Sequence, residues 1–550
     1  MTGKTFRTVF LFVFSIFYVY FLAINYSVFE SNNGMGPAFV SGALTGGKPV
    51  SIFYFTSHFL LVEAYMFLYR LVPMVPWYEL CLYFYVALSL FITLQLLWLW
   101  FGNNFKYWIV PALISCIIFT EPLYFMEYTR MAFALGTASV FLMILNKDNS
   151  PSYLILSVLC FLLCILTRPE VGVLIIITQW MLDVFMRDGN FTKKIVWTNS
   201  VLVFLVMGII VIDRITTDSV IKQFEPELGY QLLDRGNVVP LGNMKTAVDS
   251  AKYIAALNMI TDPDYVSIDF LRSLIDEDPF VGMDKKLLEK TFIILGESAK
   301  NAQGLLFIYS GILLVMLWQK INSSKKALLQ FLGFTISFWM LIIVTIYFIK
   351  MERWVFNSVV GMMSLILLCK INYRTIRGYQ LLPLLMASLM VCVGTVKLFE
   401  EQQDYSQTIR NETIANSAFK KQIERKYTGK IIMPGLHQAQ LMINSSFPFD
   451  IPDFSSFKKI YLFDSDVLYL VENYNAYLRE NCNCNAGNYA DFMDFLVTKK
   501  EELVIISNEE RTDLMTYYCS KVRKENYLFT PIDSVISNGE VSIAYTLDKK

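Results

Sequence analysis

Histidine is almost absent from this chain: His58 and His437 are the only two in 550 residues. That excludes a multi-histidine metal site, and no motif supports a Ser-His-Asp arrangement. Charge is scarce as well. Only 17% of residues are charged, against about 25% in soluble globular chains, while 55% are hydrophobic, so most of the chain is built for lipid. The sequence has no glycine-rich phosphate loop, no internal repeat and no low-complexity segment. Its 47 basic and 47 acidic side chains cancel, leaving no net field to attract nucleic acid.

Cysteine chemistry is equally thin. Cys81, Cys116, Cys160, Cys164, Cys369 and Cys392 lie in apolar runs, where a thiol behaves as a small hydrophobe. Cys482, Cys484 and Cys519 lie in a polar tail and match neither a zinc pattern nor a closed disulfide framework, which leaves room for one disulfide and a spare thiol.

What the chain does have is long apolar runs, twelve of them at about 6–24, 52–72, 80–100, 107–120, 131–146, 152–167, 170–186, 195–213, 304–319, 327–349, 354–370 and 379–397. The first begins with Lys4 and Arg7 like a signal peptide. The bulky Asn25-Tyr26-Ser27-Val28-Phe29 that follows is no cleavage site, so it reads as a retained span. The second contains His58, Glu63 and Arg70, each costly at a helix centre. If 52–72 instead lies along the outer surface, eleven spans remain. The cytoplasmic loops then receive Lys4, Arg7, Lys106, Lys147, Arg187, Lys193, Lys194, Lys320, Lys325, Lys326, Lys370, Arg374 and Arg377, as the positive-inside rule requires.

The expected fold is therefore an α-helical polytopic membrane protein of about eleven spans over 1–397, with outer loops at 25–79 and 214–303. A small extracytoplasmic α/β domain follows over 398–550. Its strands are expected near Lys430–Met433, Lys459–Phe463, Glu502–Ile506 and Val541–Tyr545, after a polar helical stretch from Glu400 to about Arg425. The N-terminus is expected in the cytoplasm and the tail outside, in a bacterial inner membrane.

This topology gathers charged residues from distant parts of the chain at one membrane boundary. They are Glu30, then Glu121 with Glu127 and Arg130, then Arg168-Pro169-Glu170, then Glu352-Arg353-Trp354. Proline at 169 breaks the helix and frees backbone groups, which is tolerated at membrane depth only inside protein or beside a wet cavity. Each group also has a plain structural reading: Glu30 solvated, Arg168–Glu170 and Glu352–Arg353 as ion pairs at hairpins, and Glu121, Glu127 and Arg130 as caps and snorkelling groups. The triplets Asp262-Pro263-Asp264, Asp276-Glu277-Asp278 and Asp464-Ser465-Asp466 fit a loose Asp-x-Asp metal pattern that arises easily by chance.

The layout resembles the GT-C superfamily of membrane glycosyltransferases, which take sugars from polyprenyl-phosphate carriers. The likeness covers about residues 1–397: a first span, a large outer loop with an acidic residue at Glu30, then Arg168-Pro169-Glu170 and Glu352-Arg353 between short-looped helices. The resemblance implies a catalytic base at Glu30, and a substrate site drawn from Arg130, Arg168, Glu170, Glu352, Arg353 and Glu127. A carboxylate that takes the acceptor's proton contributes about 10²–10⁴-fold, and arginine stabilises the departing phosphate. The implied partners are the lipid bilayer, a polyprenyl-phosphate-linked sugar and an acceptor glycan or lipid, with no nucleic acid. No cofactor is identified, and a divalent cation is left open. The competing readings are a glycan polymerase or ligase, and a lipid-linked glycan transporter.

Overall fold

The computed structural model describes residues 3–29, 38, 41–45, 58–101, 105–145, 151–185, 193–216, 239–258, 265–266, 270, 273–274, 285–348, 353–371, 381–444, 448–450, 453–461, 476, 478–480, 489–537 and 540–550. The chain is a bundle of long apolar helices that carries a small sheet domain.

Helices occupy all eleven of the expected spanning positions. They are α1 (Gly3–Tyr26), α3 (Trp77–Phe101), α4 (Phe105–Ile118), α6 (Tyr128–Leu145), α7 (Pro151–Thr167), α8 (Pro169–Phe185), α9 (Lys193–Thr216), α12 (Gln303–Ile321), α13 (Lys325–Phe348), α14 (Arg353–Lys370) and α15 (Leu381–Tyr427). Among the described residues, six helices are long and apolar enough to cross a membrane and three more are shorter apolar helices. The centre of the bundle is α6, where Met131, Ala132, Leu135 and Ala138 are fully buried. A helix enclosed by protein need not be lipophilic all round, which is why α6 carries Thr137 and Ser139 in its middle.

Within the run at 52–72, the described residues form α2 (Phe59–Leu71), 13 residues long and too short to span. His58 caps it, and the His58 N–H donates to Leu166 O at 2.9 Å, at the end of α7. Leu60, Phe67 and Leu71 are exposed along it, as suits a helix lying on a membrane surface.

Two glycines set how closely α12 and α15 approach. A Cβ at Gly304 would lie 2.4 Å from Leu398 N, and one at Gly394 would lie 2.7 Å from Gly304 O. Only backbone on both sides permits that contact, the small-residue packing common between membrane helices. The carboxylate of Glu401 accepts from Gly304 N–H at 3.2 Å, capping α12 from the neighbouring helix.

Helix α15 runs for 47 residues without interruption, about 70 Å at 1.5 Å per residue. It leaves the bundle and its last turns enter the core of the tail, where Phe419 and Ile423 are fully buried. The position between residues 397 and 398 lies inside it. Beyond it come β3 (Ile431–Pro434), α16 (Leu436–Ile443), β4 (Lys459–Ile460), α17 (Tyr489–Thr498), β5 (Leu503–Ser507), α18 (Glu509–Tyr518), β6 (Tyr527–Ser537) and β7 (Glu540–Lys549). The sheet order is β4-β3-β5-β7-β6, with β4, β3 and β5 parallel and β7 and β6 antiparallel. The edge strand β6, absent from the expected strands, has a bulge between Pro531 and Asp533 that blurs its alternation.

The tail packs against the loops at 25–79 and 214–303. Its core includes Ala38 and Leu44 from the first loop, and Ala251, Ala255 and Leu274 from the second, all buried. The helices of the second loop are α10 (Ala247–Leu257), capped by Thr246, and α11 (Lys285–Asn301). Arg511 of α18 donates to Asn258 O, and Arg523 lies 5.2 Å over the Tyr265 ring. The tail also reaches the bundle through Phe449, which sits at φ +75° and stacks on Tyr83 at 5.2 Å.

Candidate functional site

The site is built where the ends of α1, α4, α6, α7, α8, α12 and α14 meet, on the side that bears the tail. Two short strands tie the first two loops together. β1 (Val28–Phe29) pairs in parallel with β2 (Phe125–Met126), Phe29 beside Met126. The residues that follow are Glu30 on one side and Glu127 on the other. Glu30 itself lies outside the described residues, as does Glu352.

Glu127 starts α6. Its carboxylate accepts from the Arg130 N–H at 2.9 Å and from Thr129 Oγ1 at 2.7 Å, the bonds of an N-terminal cap. Six residues before it, the short helix α5 (Glu121–Tyr124) presents Glu121. Arg130 Nε lies 2.9 Å from Glu121 Oε1, with the two side chains only 1% and 3% exposed. The guanidinium also rests 5.0 Å over the Phe125 ring. Asn357 Nδ2, on α14 one turn past Arg353, donates to the same Glu121 Oε1 at 3.2 Å. Two oxygens remain over: Asn357 Oδ1 and Ser358 Oγ are buried with no hydrogen-bond partner. A buried acceptor left unmade costs about 1–3 kcal/mol.

These groups border a cleft with about 370 Å³ of unfilled space, its opening included. Glu121, Arg130, Asn357 and Ser358 form its polar part, while Phe133, Leu305, Met362 and Leu365 line the rest.

The third sequence-derived group lies beside the second. Arg168 stacks 5.5 Å over the Tyr128 ring and pairs with Glu170, Nε to Oε2 at 3.1 Å. Both are solvent-accessible, Arg168 at 28% and Glu170 at 61%. For the fourth group, Arg353 opens α14 and so stands at this end of the bundle through its backbone.

Four residues of this region were not named as site residues in the sequence. Asn357 and Ser358 sit inside an apolar run, and only their lack of back-bonding partners marks them. Gln402, buried on α15, accepts from Thr120 Oγ1 at 3.1 Å. Glu79, 3% exposed at the start of α3, accepts from Tyr69 Oη at 3.4 Å; its position at the edge of an apolar run hid it. Among the described residues no group of three or more His, Cys, Asp or Glu side chains could hold a metal ion. Cys519 is a buried thiol, and Cys482 and Cys484 lie outside the described residues, as do the three Asp-x-Asp triplets.

The fold and its charged end define a polytopic helical membrane protein with a small α/β tail. Two crystal structures of ArnT from Cupriavidus metallidurans are similar to it, one bound to undecaprenyl phosphate and one in the apo state. They match at 11% and 13% identity, with TM-scores of 0.37 and 0.38, over 99% of this chain and 98% of theirs. No family model and no curated protein matches the chain.

Proposed function

We propose that this chain is a membrane glycosyltransferase that moves a sugar from a polyprenyl-phosphate carrier to an acceptor glycan, lipid or protein on the tail-bearing side. One observation carries the reading. Charged groups from separate loops converge at one end of the bundle, beside a cleft that is polar at one part and apolar elsewhere. A lipid-linked sugar has that same division, and its chemistry must occur at the membrane boundary.

The roles are assigned from the chemistry that such a transfer needs. Glu30, next after the paired strand β1, takes the proton of the acceptor hydroxyl as the anomeric bond forms. Arg168 holds the leaving phosphate, because its guanidinium is accessible and oriented by the Tyr128 face. Arg353 joins it from the start of α14. Arg130 is committed to Glu121 and acts as scaffold. In this reading the tail faces the extracytoplasmic side of a bacterial inner membrane and the N-terminus faces the cytoplasm.

Glu30→Gln tests the proposal. Sugar transfer to acceptor in proteoliposomes is expected to be abolished, with membrane abundance unchanged. Normal transfer would remove Glu30 as the base.

A further inference from the structure

We infer that the cleft beneath the Glu121–Arg130 pair is a hydroxyl-reading subsite, in which Asn357 Oδ1 and Ser358 Oγ bond the hydroxyls of a glycosyl head group. The inference deepens the transferase reading and rests on it for the identity of the ligand as the carrier's sugar.

Asn357 is 5% exposed, and its amide is fixed by the bond from Nδ2 to Glu121. That bond leaves Oδ1 as an acceptor at the cleft, where it finds no donor. Ser358 is stranger for a helix. Many helical hydroxyls in this bundle bond the carbonyl four residues back, as Ser364 does to Val360 O at 2.8 Å on the same helix and Thr137 does to Phe133 O at 2.8 Å. Ser358 Oγ makes no such bond and lines the cleft instead. Two adjacent residues thus hold polar capacity in reserve at one cavity wall.

Charge selects the ligand class. An anion there would face the Glu121 carboxylate and an amide oxygen. A cation would face the Arg130 guanidinium. The pair is balanced, so the cleft favours a neutral group rich in O–H donors, and a sugar is that group. Met362, Leu365 and Phe133 supply apolar surface for the adjoining aliphatic chain or sugar face. The phosphate is left to Arg168 and Arg353.

The test uses the full chain in lipid nanodiscs, with octyl glucoside and octyl galactoside below their micelle thresholds as probes. Octyl phosphocholine, with the same chain and no hydroxyl, is the control. At least one glycoside is expected to bind and raise the unfolding temperature where the control does not. Ser358→Ala should weaken that binding about 2- to 13-fold, the worth of one neutral hydrogen bond. Gly361→Leu should abolish it by filling the cleft, since a Cβ at Gly361 meets only Ile118 Cγ2 at 3.4 Å.

Equal stabilisation by glycosides and control overturns the inference, as does glycoside binding unchanged in Ser358→Ala. The two readings separate cleanly. Loss of transfer in Glu30→Gln with no glycoside dependence on Ser358 sinks the subsite alone. Ser358-dependent glycoside binding with normal transfer in Glu30→Gln sinks the transferase assignment of Glu30 and leaves the subsite standing.

Discussion

Arg130 and Glu121 form a buried ion pair, Nε to Oε1 at 2.9 Å, that joins the start of α6 to the short helix α5. Buried pairs of this kind contribute little net stability but are costly to break from one side. Arg130→Met leaves the Glu121 carboxylate enclosed without its guanidinium partner. The expected loss is about 3–5 kcal/mol, read as a fall in unfolding temperature of the detergent-solubilised protein. Glu121→Gln combined with Arg130→Met should recover part of that loss, because no charge is then stranded. An unaltered melt for the single variant would contradict this account.

Arg168 presents a different balance. Its pair with Glu170 is partly solvated, so it contributes little to stability. Arg168→Lys should leave the unfolding temperature within about 1 °C, since exposed pairs contribute at most about 1 kcal/mol. Donor KM is expected to rise about tenfold, because an ammonium cannot reproduce the planar fork or its stack on Tyr128. Donor kinetics identical to wild type would detach Arg168 from the phosphate.

The α12–α15 contact leaves no space for a side chain. Gly394→Ala places a methyl 2.7 Å from Gly304 O and 2.8 Å from Ile308 N, both backbone atoms. Separation of the helices is expected to cost about 1–3 kcal/mol. Hydrogen exchange at the first turn of α12 should quicken, because the Glu401 cap on Gly304 is displaced with it. Exchange that matches wild type would show that the interface has slack.

Orientation is open to direct labelling. Tyr405 packs its ring 5.0 Å from Phe125 and is a poor site for a probe. Asp404, next to it on α15, is exposed. Asp404→Cys should react with a membrane-impermeant thiol reagent added outside intact cells. Protection there, with reaction in inverted vesicles, would reverse the proposed orientation.

Much of the architecture was legible because lipid imposes it. Apolar runs of spanning length had to become helices, and the charged run at 52–72 had to be something other than a span; α2 is 13 residues long. The tail strands β3, β5 and β7 followed from short β-branched runs. Strand β6 was hidden by Pro531 and its bulge. The site was harder to read. Charge marked Arg130, Arg168 and the glutamates, yet it could not tell a buried pair from an accessible one. Arg130 is committed to Glu121, while Arg168, as basic and as close to a span, is open to solvent. Asn357 and Ser358 escaped because neutral polar residues in a span most often satisfy themselves within their own helix. Only the missing partners set them apart, and those exist in three dimensions.

The unbroken course of α15 gives the molecule a mechanical property. A rod with no hinge transmits torque. At its far end Phe419 and Ile423 are locked into the tail, and lower down Gln402 holds Thr120 while Glu401 holds the first turn of α12. Any tilt of the tail would therefore turn the rod. Thr120 is the residue before Glu121, so one unbroken helix links the core of the tail to the chain beside the cleft.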